Sequence, residues 1–386
     1  QQERDYTSTF IANARNTTFD FPISYMVNDE NKPSPLGAGG YGEVVKVSGR
    51  MRDGRESIMA VKKFIEPFGN YINAQRCYRE IKLLQLLDHP NIVKVVDLYT
   101  PENNVDDLQK VYLVTKYSGY TVAQYIREQT RTGCILLQIP HIKIIIHKTV
   151  CALNYLYSAG IVHRDLTPSN ITISEGTHPD GPNNVTLIDF GMARIMDANM
   201  SAYVCTRPYR APEISWWTPG TYDHKADIWS LGCILGELIT WQKVFPTTKT
   251  QNILDVQIDF CGPIDEEMLA KKAQPSMKEL LVEMSMNKVR QDFGKYFKRL
   301  NLTGEKLDGN AINFLENTLQ FNPDKRLKFE DALAHPFLAD EREKESETTA
   351  VRMIDNNDVD QSNTRECKRR IWREIQNFRP NALTPV

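Results

Sequence analysis

An aspartate and an asparagine stand five residues apart in His163-Arg164-Asp165-Leu166-Thr167-Pro168-Ser169-Asn170, a spacing that puts both on one tight loop. A second acidic group follows in Asp189-Phe190-Gly191, directly after the apolar run Val185 to Ile188. Upstream, Lys62 closes Met59-Ala60-Val61-Lys62, Glu80 sits in a stretch of helical spacing, and Gly37-Ala38-Gly39-Gly40-Tyr41-Gly42 precedes Val44. Each has a bland reading by itself. A glycine run is usually a turn, a strand lysine a solvated edge residue, and a carboxylate a surface charge. In this order they supply what phosphoryl transfer from ATP needs: backbone amides and a cation for the phosphates, oxygen ligands for magnesium, and a carboxylate beside the attacking hydroxyl. On that reading glycine lets the backbone approach the phosphates. Lys62, held by Glu80, reaches the α- and β-phosphates, Asp165 orients the substrate hydroxyl, and Asn170 and Asp189 bind Mg2+. A dinucleotide-binding turn is disfavoured, because a strand rather than a helix follows the glycines.

The elements that must position these groups are legible in outline. Glu43 to Val47 and Ile58 to Lys62 read as strands joined by the turn residues Arg52-Asp53-Gly54-Arg55, and Val111 to Thr115 as another strand. Residues 72 to 87 change to helical spacing, with Ile81, Leu84 and Leu87 on one stripe. From residue 121 helical patterns dominate, including Pro140 to Ser158 and Asp227 to Thr240. The expected class is α+β: two lobes, the first β-rich and the second helical, with a cleft between them. Residues 1–30 read as an extended flank, 31–118 as the small lobe, 119–339 as the large lobe with an insert near 240–300, and 340–386 as a C-terminal extension. Residues 340–350 are so charged that mobility is expected. Beyond them Ile371, Ile375 and Phe378, with Trp372 beside them, predict a terminal helix packed on the body.

Composition narrows the setting. The 386 residues are 41% hydrophobic and 25% charged, with a formal net charge of −2 and a pI near 6.4, which gives no reason to expect nucleic-acid binding. Apolar runs fall well short of the ~20 residues that span a bilayer, so no membrane partner is expected. Seven scattered cysteines show no metal spacing and read as reduced thiols of an intracellular protein, cytoplasmic with a nuclear presence left open. No signal peptide is visible, and Gln1 reads as a processed or cut end. Asn170-Ile171-Thr172 satisfies a glycosylation sequon, a false positive if Asn170 binds magnesium.

Over roughly residues 30 to 340 the chain resembles the eukaryotic protein kinases. Ala211-Pro212-Glu213, Asp227-Ile228-Trp229-Ser230-Leu231-Gly232, and Asn322-Pro323-Asp324-Lys325-Arg326 before His335-Pro336-Phe337 join the motifs above. The resemblance implies the bilobal kinase fold, a Glu213–Arg326 pair, and Asp227 bracing the catalytic loop. It also implies an ATP site of Leu36, Gly37, Ala38, Gly39, Gly40, Tyr41, Gly42, Val44, Ala60, Lys62, Thr115, Lys116 and Tyr117. Within that family Lys62 to Phe68, Arg76 to Leu84 and Val204 to Glu213 are most similar to mitogen-activated protein kinases, which also implies that the C-terminal helix returns to the small lobe. The short activation loop, and Thr115 as gatekeeper, resemble the stress-activated, osmosensing branch.

This resemblance implies regulation and partners. Ser201-Ala202-Tyr203 occupies the place of a dual phosphorylation motif, and each phosphate would add about −1.5 to −2 charges that need arginines. Arg79, Arg164 and Arg194 match the positions receiving the first phosphate, Arg207 and Arg210 the second, and Arg76 is a further phosphate-binding candidate. Expected partners are an upstream dual-specificity kinase, substrates with Ser/Thr-Pro sites, and docking-motif proteins and phosphatases. Asp340, Glu341 and Glu343 are the candidate docking acids. Four departures matter: Ser201 for threonine, Pro208 for an aromatic residue, a longer turn between Ile173 and Val185, and Thr167 where a lysine usually touches the γ-phosphate. The last keeps a second reading open, a catalytically weak kinase fold serving as a docking module. A cyclin-dependent type is a third, against which Tyr203, the arginines and the C-terminal helix weigh.

Overall fold

The computed structural model describes residues 5–12, 16–25, 32–50, 56–174, 184–196, 206–217, 223–247, 252–359 and 363–379. Two compact units form: Gln1–Asp88, Val93–Tyr117 and Asp355–Val386 make the first, and His89–Ile92 and Ser118–Ile354 the second.

The first unit opens with a hairpin, β1 (Tyr6–Ile11) and β2 (Thr17–Pro22), where an extended flank was expected. A five-stranded antiparallel sheet follows, built from β3 (Ser34–Ala38), β4 (Gly42–Arg50), β5 (Glu56–Phe64), β6 (Val95–Tyr99) and β7 (Tyr112–Lys116) in the order β3-β4-β5-β7-β6. Between β5 and β6 runs α1 (Tyr71–Leu86), whose first turn is capped by Asn70 accepting from the Asn73 amide at 2.9 Å. Alternation sends Val45, Val47, Met59, Val61 and Val114 to one face, where they form one core with Ile11, Phe19, Phe21 and Tyr25. The hairpin is therefore part of the core, with Phe19 and Phe21 fully buried. Between them Asp20 accepts from Ser8, Lys110 and Tyr112 at 2.6, 2.9 and 3.0 Å. Burial acts to raise its carboxyl, but these bonds outweigh it and hold the group below the usual carboxylate range.

The second unit has two small sheets. β10 (Ile171–Ser174) lies between β8 (Tyr120–Thr121) and β11 (Asn184–Leu187), and β9 (Ile161–Val162) pairs β12 (Arg194–Ile195). The rest is helical: α2 (Val122–Thr132), α3 (Ile139–Ser158), α4 (Glu213–Trp216), α5 (Lys225–Thr240), α6 (Ile253–Cys261), α7 (Glu266–Lys272), α8 (Pro275–Ser285), α9 (Phe293–Leu300), α10 (Gly309–Thr318) and α11 (Phe329–Leu333). α5 is buried all round from Ala226 to Thr240, its Asp227 and Glu237 included. The charged stretch after residue 340 is laid against α3 by ion pairs, Asp340 to Lys143 at 2.8 Å and Glu343 to Lys148. Arg342 and Glu347 pair at 2.6 Å within it. The mobility expected from composition alone did not count the lysines that α3 presents.

The chain then returns to the first unit through α12 (Asn356–Val359) and α13 (Thr364–Asn377). α13 packs on α1. Cys367, Ile371 and Ile375 are fully buried, Phe378 is nearly so, and Trp372 is half-buried. Glu374 bonds Lys82 at 2.8 Å, and the Tyr78 hydroxyl donates to the Asp358 carbonyl at 3.1 Å.

Candidate active site

Register places the first unit's functional groups on the sheet face opposite the hairpin core. Val44 stands opposite Lys62, and Lys62 opposite Leu113; one pair along, Lys46, Ala60 and Thr115 line up in the same way. The glycine segment makes the β3–β4 connection, closed by the Gly39 amide donating to the Gly42 carbonyl at 2.9 Å. Leu36 and Tyr41 are exposed there, and the Tyr117 amide bonds the Ile58 carbonyl beyond the end of β7. Every residue expected to hold ATP lies in this unit. The Lys62 ammonium donates to Glu80 Oε1 at 2.6 Å, with side chains 15% and 4% exposed. α1 thus supplies the carboxylate that orients the strand lysine, in a setting dry enough for the pair to hold one geometry. Gly42 has a role that sequence reasoning missed. A Cβ there would meet Lys62 Cε at 2.8 Å, so the missing side chain leaves room for the lysine to pass.

In the second unit the catalytic-loop candidate is fixed from beneath. The buried Asp227 carboxylate accepts the His163 and Arg164 amides at 2.8 and 3.0 Å. Burial pushes this carboxyl up, and the nearby His163 and the two amide bonds work against it. Arg164 adopts a left-handed φ of 65°, and its Nε donates to the Met192 carbonyl at 2.7 Å. Asp165 Oδ1 accepts from the Thr206 amide and hydroxyl at 3.1 and 2.8 Å. Asn170 Nδ2 donates to the Asp165 carbonyl at 2.8 Å, and the Ile188 amide donates to the Asn170 carbonyl at 2.9 Å. That last bond ties the loop to the segment carrying Asp189. Asp189 has a left-handed φ of 59° and is exposed. Thr167 is buried, 6% exposed.

Phe190 packs edge-on against His163, their centroids 5.1 Å apart. Glu213 and Arg326, both fully buried, are joined by two bonds of 2.6 and 2.7 Å. The six candidate phosphate-binding arginines divide between the units, Arg76 and Arg79 in the first and Arg164, Arg194, Arg207 and Arg210 in the second. Arg76 rests 4.2 Å over the Tyr41 ring, Arg79 is buried and Arg207 is exposed. Ser201, Tyr203 and most of the longer turn after Ile173 lie outside the described residues. Among the described residues no group of three or more His, Cys, Asp or Glu could hold a metal. An amide oxygen of Asn170 and a carboxylate of Asp189 suit magnesium instead, which takes few protein ligands and completes its shell with water and phosphate oxygens.

A model of the protein kinase domain matches residues 31–338. Mitogen-activated protein kinase pmk-3 of Caenorhabditis elegans is 36% identical over 377 residues, 96% of this chain and 77% of that protein. Mitogen-activated protein kinase pmk-1 of the same worm is 35% identical over 350 residues, 90% of this chain and 86% of its own length. The chain belongs to the mitogen-activated protein kinase family. This MAP kinase is a Ser/Thr protein kinase resembling the stress-activated branch. Mitogen-activated protein kinase p38b of Drosophila melanogaster is 32% identical over 371 residues, 95% of the chain and 93% of that protein. Membership implies protein substrates, an upstream kinase, and the ATP and Mg2+ on which protein kinases in general depend. Among the described residues of this MAP kinase, no helix is long and apolar enough to cross a membrane.

Proposed function

We propose that this MAP kinase transfers the γ-phosphoryl group of ATP to serine or threonine followed by proline, and that phosphorylation of Ser201 and Tyr203 switches it on. The observation that carries the catalytic part is the Asp165 carboxylate, aimed by two bonds from Thr206 and by its loop's anchorage on Asp227. In the reaction the substrate hydroxyl oxygen bonds the γ-phosphorus, the bond from that phosphorus to the ADP oxygen breaks, and Asp165 accepts the hydroxyl proton. Lys62, oriented by Glu80, steadies the α- and β-phosphates, and Gly37 to Gly42 offer them backbone amides. Asn170 and Asp189 would hold Mg2+, which neutralises phosphate charge when bound.

Proline preference is assigned to Thr206 and Arg207, and the switch to the arginine candidates, which give the new phosphates their partners. Docking of basic motifs on Asp340 and Glu343 would have to displace Lys143 and Lys148 from them. Thr167 supports the second reading, a weakly catalytic docking module. One assay separates the two: Mg-ATP transfer to a Ser-Pro peptide after treatment with an activating kinase. Activity well above an Asp165→Asn control supports the enzyme, and activity equal to it supports the module. A Ser-Ala peptide phosphorylated equally well would remove the proline assignment, and full activity of the Ser201→Ala/Tyr203→Phe protein would remove the switch.

A further inference from the structure

The charged residues of α13 fall into two sets. Glu366 pairs Arg370 at 3.1 Å, Glu374 pairs Lys82 at 2.8 Å, and Lys368 donates to the Asp106 carbonyl at 2.8 Å while lying over the Phe68 ring. Arg365, Arg369 and Arg373 are exposed and have no ion pair or hydrogen bond among the described residues. They stand four apart, which gives two like-charged i,i+4 contacts on a helix that could have carried an acid at the middle position. The next position in the row, Asn377, lines a cavity of about 260 Å³ at the end of the helix. Its apolar walls are Leu84, Leu87, Val95 and Phe378. Gln85 lines it too, and Gln85 Oε1 is buried with no hydrogen-bond partner among the described residues. The carboxylates beside the cavity, Asp88 and Glu374, are paired with Lys94 and Lys82, whereas Arg379 at its edge is in no ion pair among the described residues.

We propose that this row and the cavity form one docking site for an extended acidic protein segment, with carboxylates on alternate residues and an apolar side chain at one end. The spacings agree. Arginines four apart on a helix are ~6 Å apart along its axis, and alternate residues of an extended chain are separated by about 6.6 Å. Arg365 to Asn377 spans ~18 Å, the reach of five or six extended residues. The guanidiniums take the carboxylates in forked bonds, the apolar side chain enters the cavity, and Gln85 Oε1 accepts from that residue's backbone amide. A short segment fits better than a broad anionic surface. A nucleic-acid duplex or an anionic bilayer would also meet Glu366, Glu374 and the exposed Asp88, in a chain of net charge −2.

The test uses the full chain without ATP, so its outcome is independent of the catalytic reading. A fluorescent peptide with glutamate at three alternate positions and a terminal leucine is titrated and followed by anisotropy. Binding is expected to weaken about tenfold or more in Arg365→Gln/Arg369→Gln/Arg373→Gln, and between about 0.05 M and about 0.3 M salt. The peptide with its glutamates changed to glutamine should lose as much on the unaltered protein, which keeps the result independent of the variant's folding. A peptide lacking the leucine should bind more weakly at every salt concentration. No binding, or binding untouched by the three substitutions, overturns the proposal. Tighter binding of a DNA duplex or of phosphatidylserine vesicles through the same arginines overturns the choice of partner.

Discussion

Thr167 lies two residues past Asp165 and is buried, 6% exposed; on the proposed reading the loop would then meet the transferring group without the lysine that the kinase resemblance implies there. Preorganised charge at such a point is worth a few kcal/mol. Thr167→Lys is expected to raise kcat about tenfold with little change in peptide KM, measured by steady-state kinetics on the activated protein. An unchanged kcat would mean that the missing charge is supplied elsewhere or not required. Gly42 acts through its lack of a side chain. In Gly42→Ala the new methyl crowds Lys62 Cε, and kcat/KM for ATP should fall by about tenfold or more while the melting temperature stays within a few degrees. Motif order and spacing were enough to single out Asp165, Asn170, Asp189, Lys62 and Glu80 as candidates, and the structure pairs the last two. The Thr206 hydroxyl on Asp165 was not legible in this way, because its partner lies 41 residues away and only the folded chain brings them together.

At the scale of elements, α13 tests how far the C-terminal segment supports the first unit. Its stripe of Ile371 and Ile375 is fully buried on α1, the helix that carries Glu80. Ile371→Ala should cost roughly 2–5 kcal/mol. The loss should be read as a lower urea midpoint, with faster amide exchange in both α1 and α13. Faster exchange in α13 alone would show that α1 stands without it. The stripe was readable because helical spacing with no other use demands a partner. The hairpin β1–β2 was missed for the opposite reason. Asp20 interrupts its apolar pattern, and nothing in residues 1–30 announces that Ser8, Lys110 and Tyr112 will satisfy that carboxylate.

For the whole molecule, the buried His147 and His335 and the half-buried His224 shape the response to mild acid, against which the raised Asp227 and Glu237 carboxyls work. Burial holds His147, His224 and His335 below their usual pKa near 6.5. Lys148 adds to the effect at His147, and Glu347, Asp223 and Asp308 oppose it at the three sites in turn. The folded protein therefore keeps these imidazoles neutral at pH values where the unfolded chain protonates them. Unfolding takes up protons, so stability falls as pH drops below about 6.5 and levels off once the folded pKa values are passed. Each imidazole contributes a slope of up to ~1.4 kcal/mol per pH unit within that window. Urea midpoints from pH 7.5 to 5.5 should show the decline, and His147→Asn should make it shallower. A flat profile would show that these sites open to water before the protein unfolds.

By itself the sequence determined the kinase motifs and their order, the strands and helices that carry them, and the apolar stripe that returns the C-terminus to a partner. These depend on neighbours within a few residues or on periodicity along one element. Tertiary structure alone decided other meetings of far-apart groups: Lys62 passing over Gly42, Asp165 with Thr206, Asp340 with Lys143. It also decided which charges of α13 were left without partners among the described residues. Pairing of that kind depends on three-dimensional distance, and no local pattern along the chain encodes it.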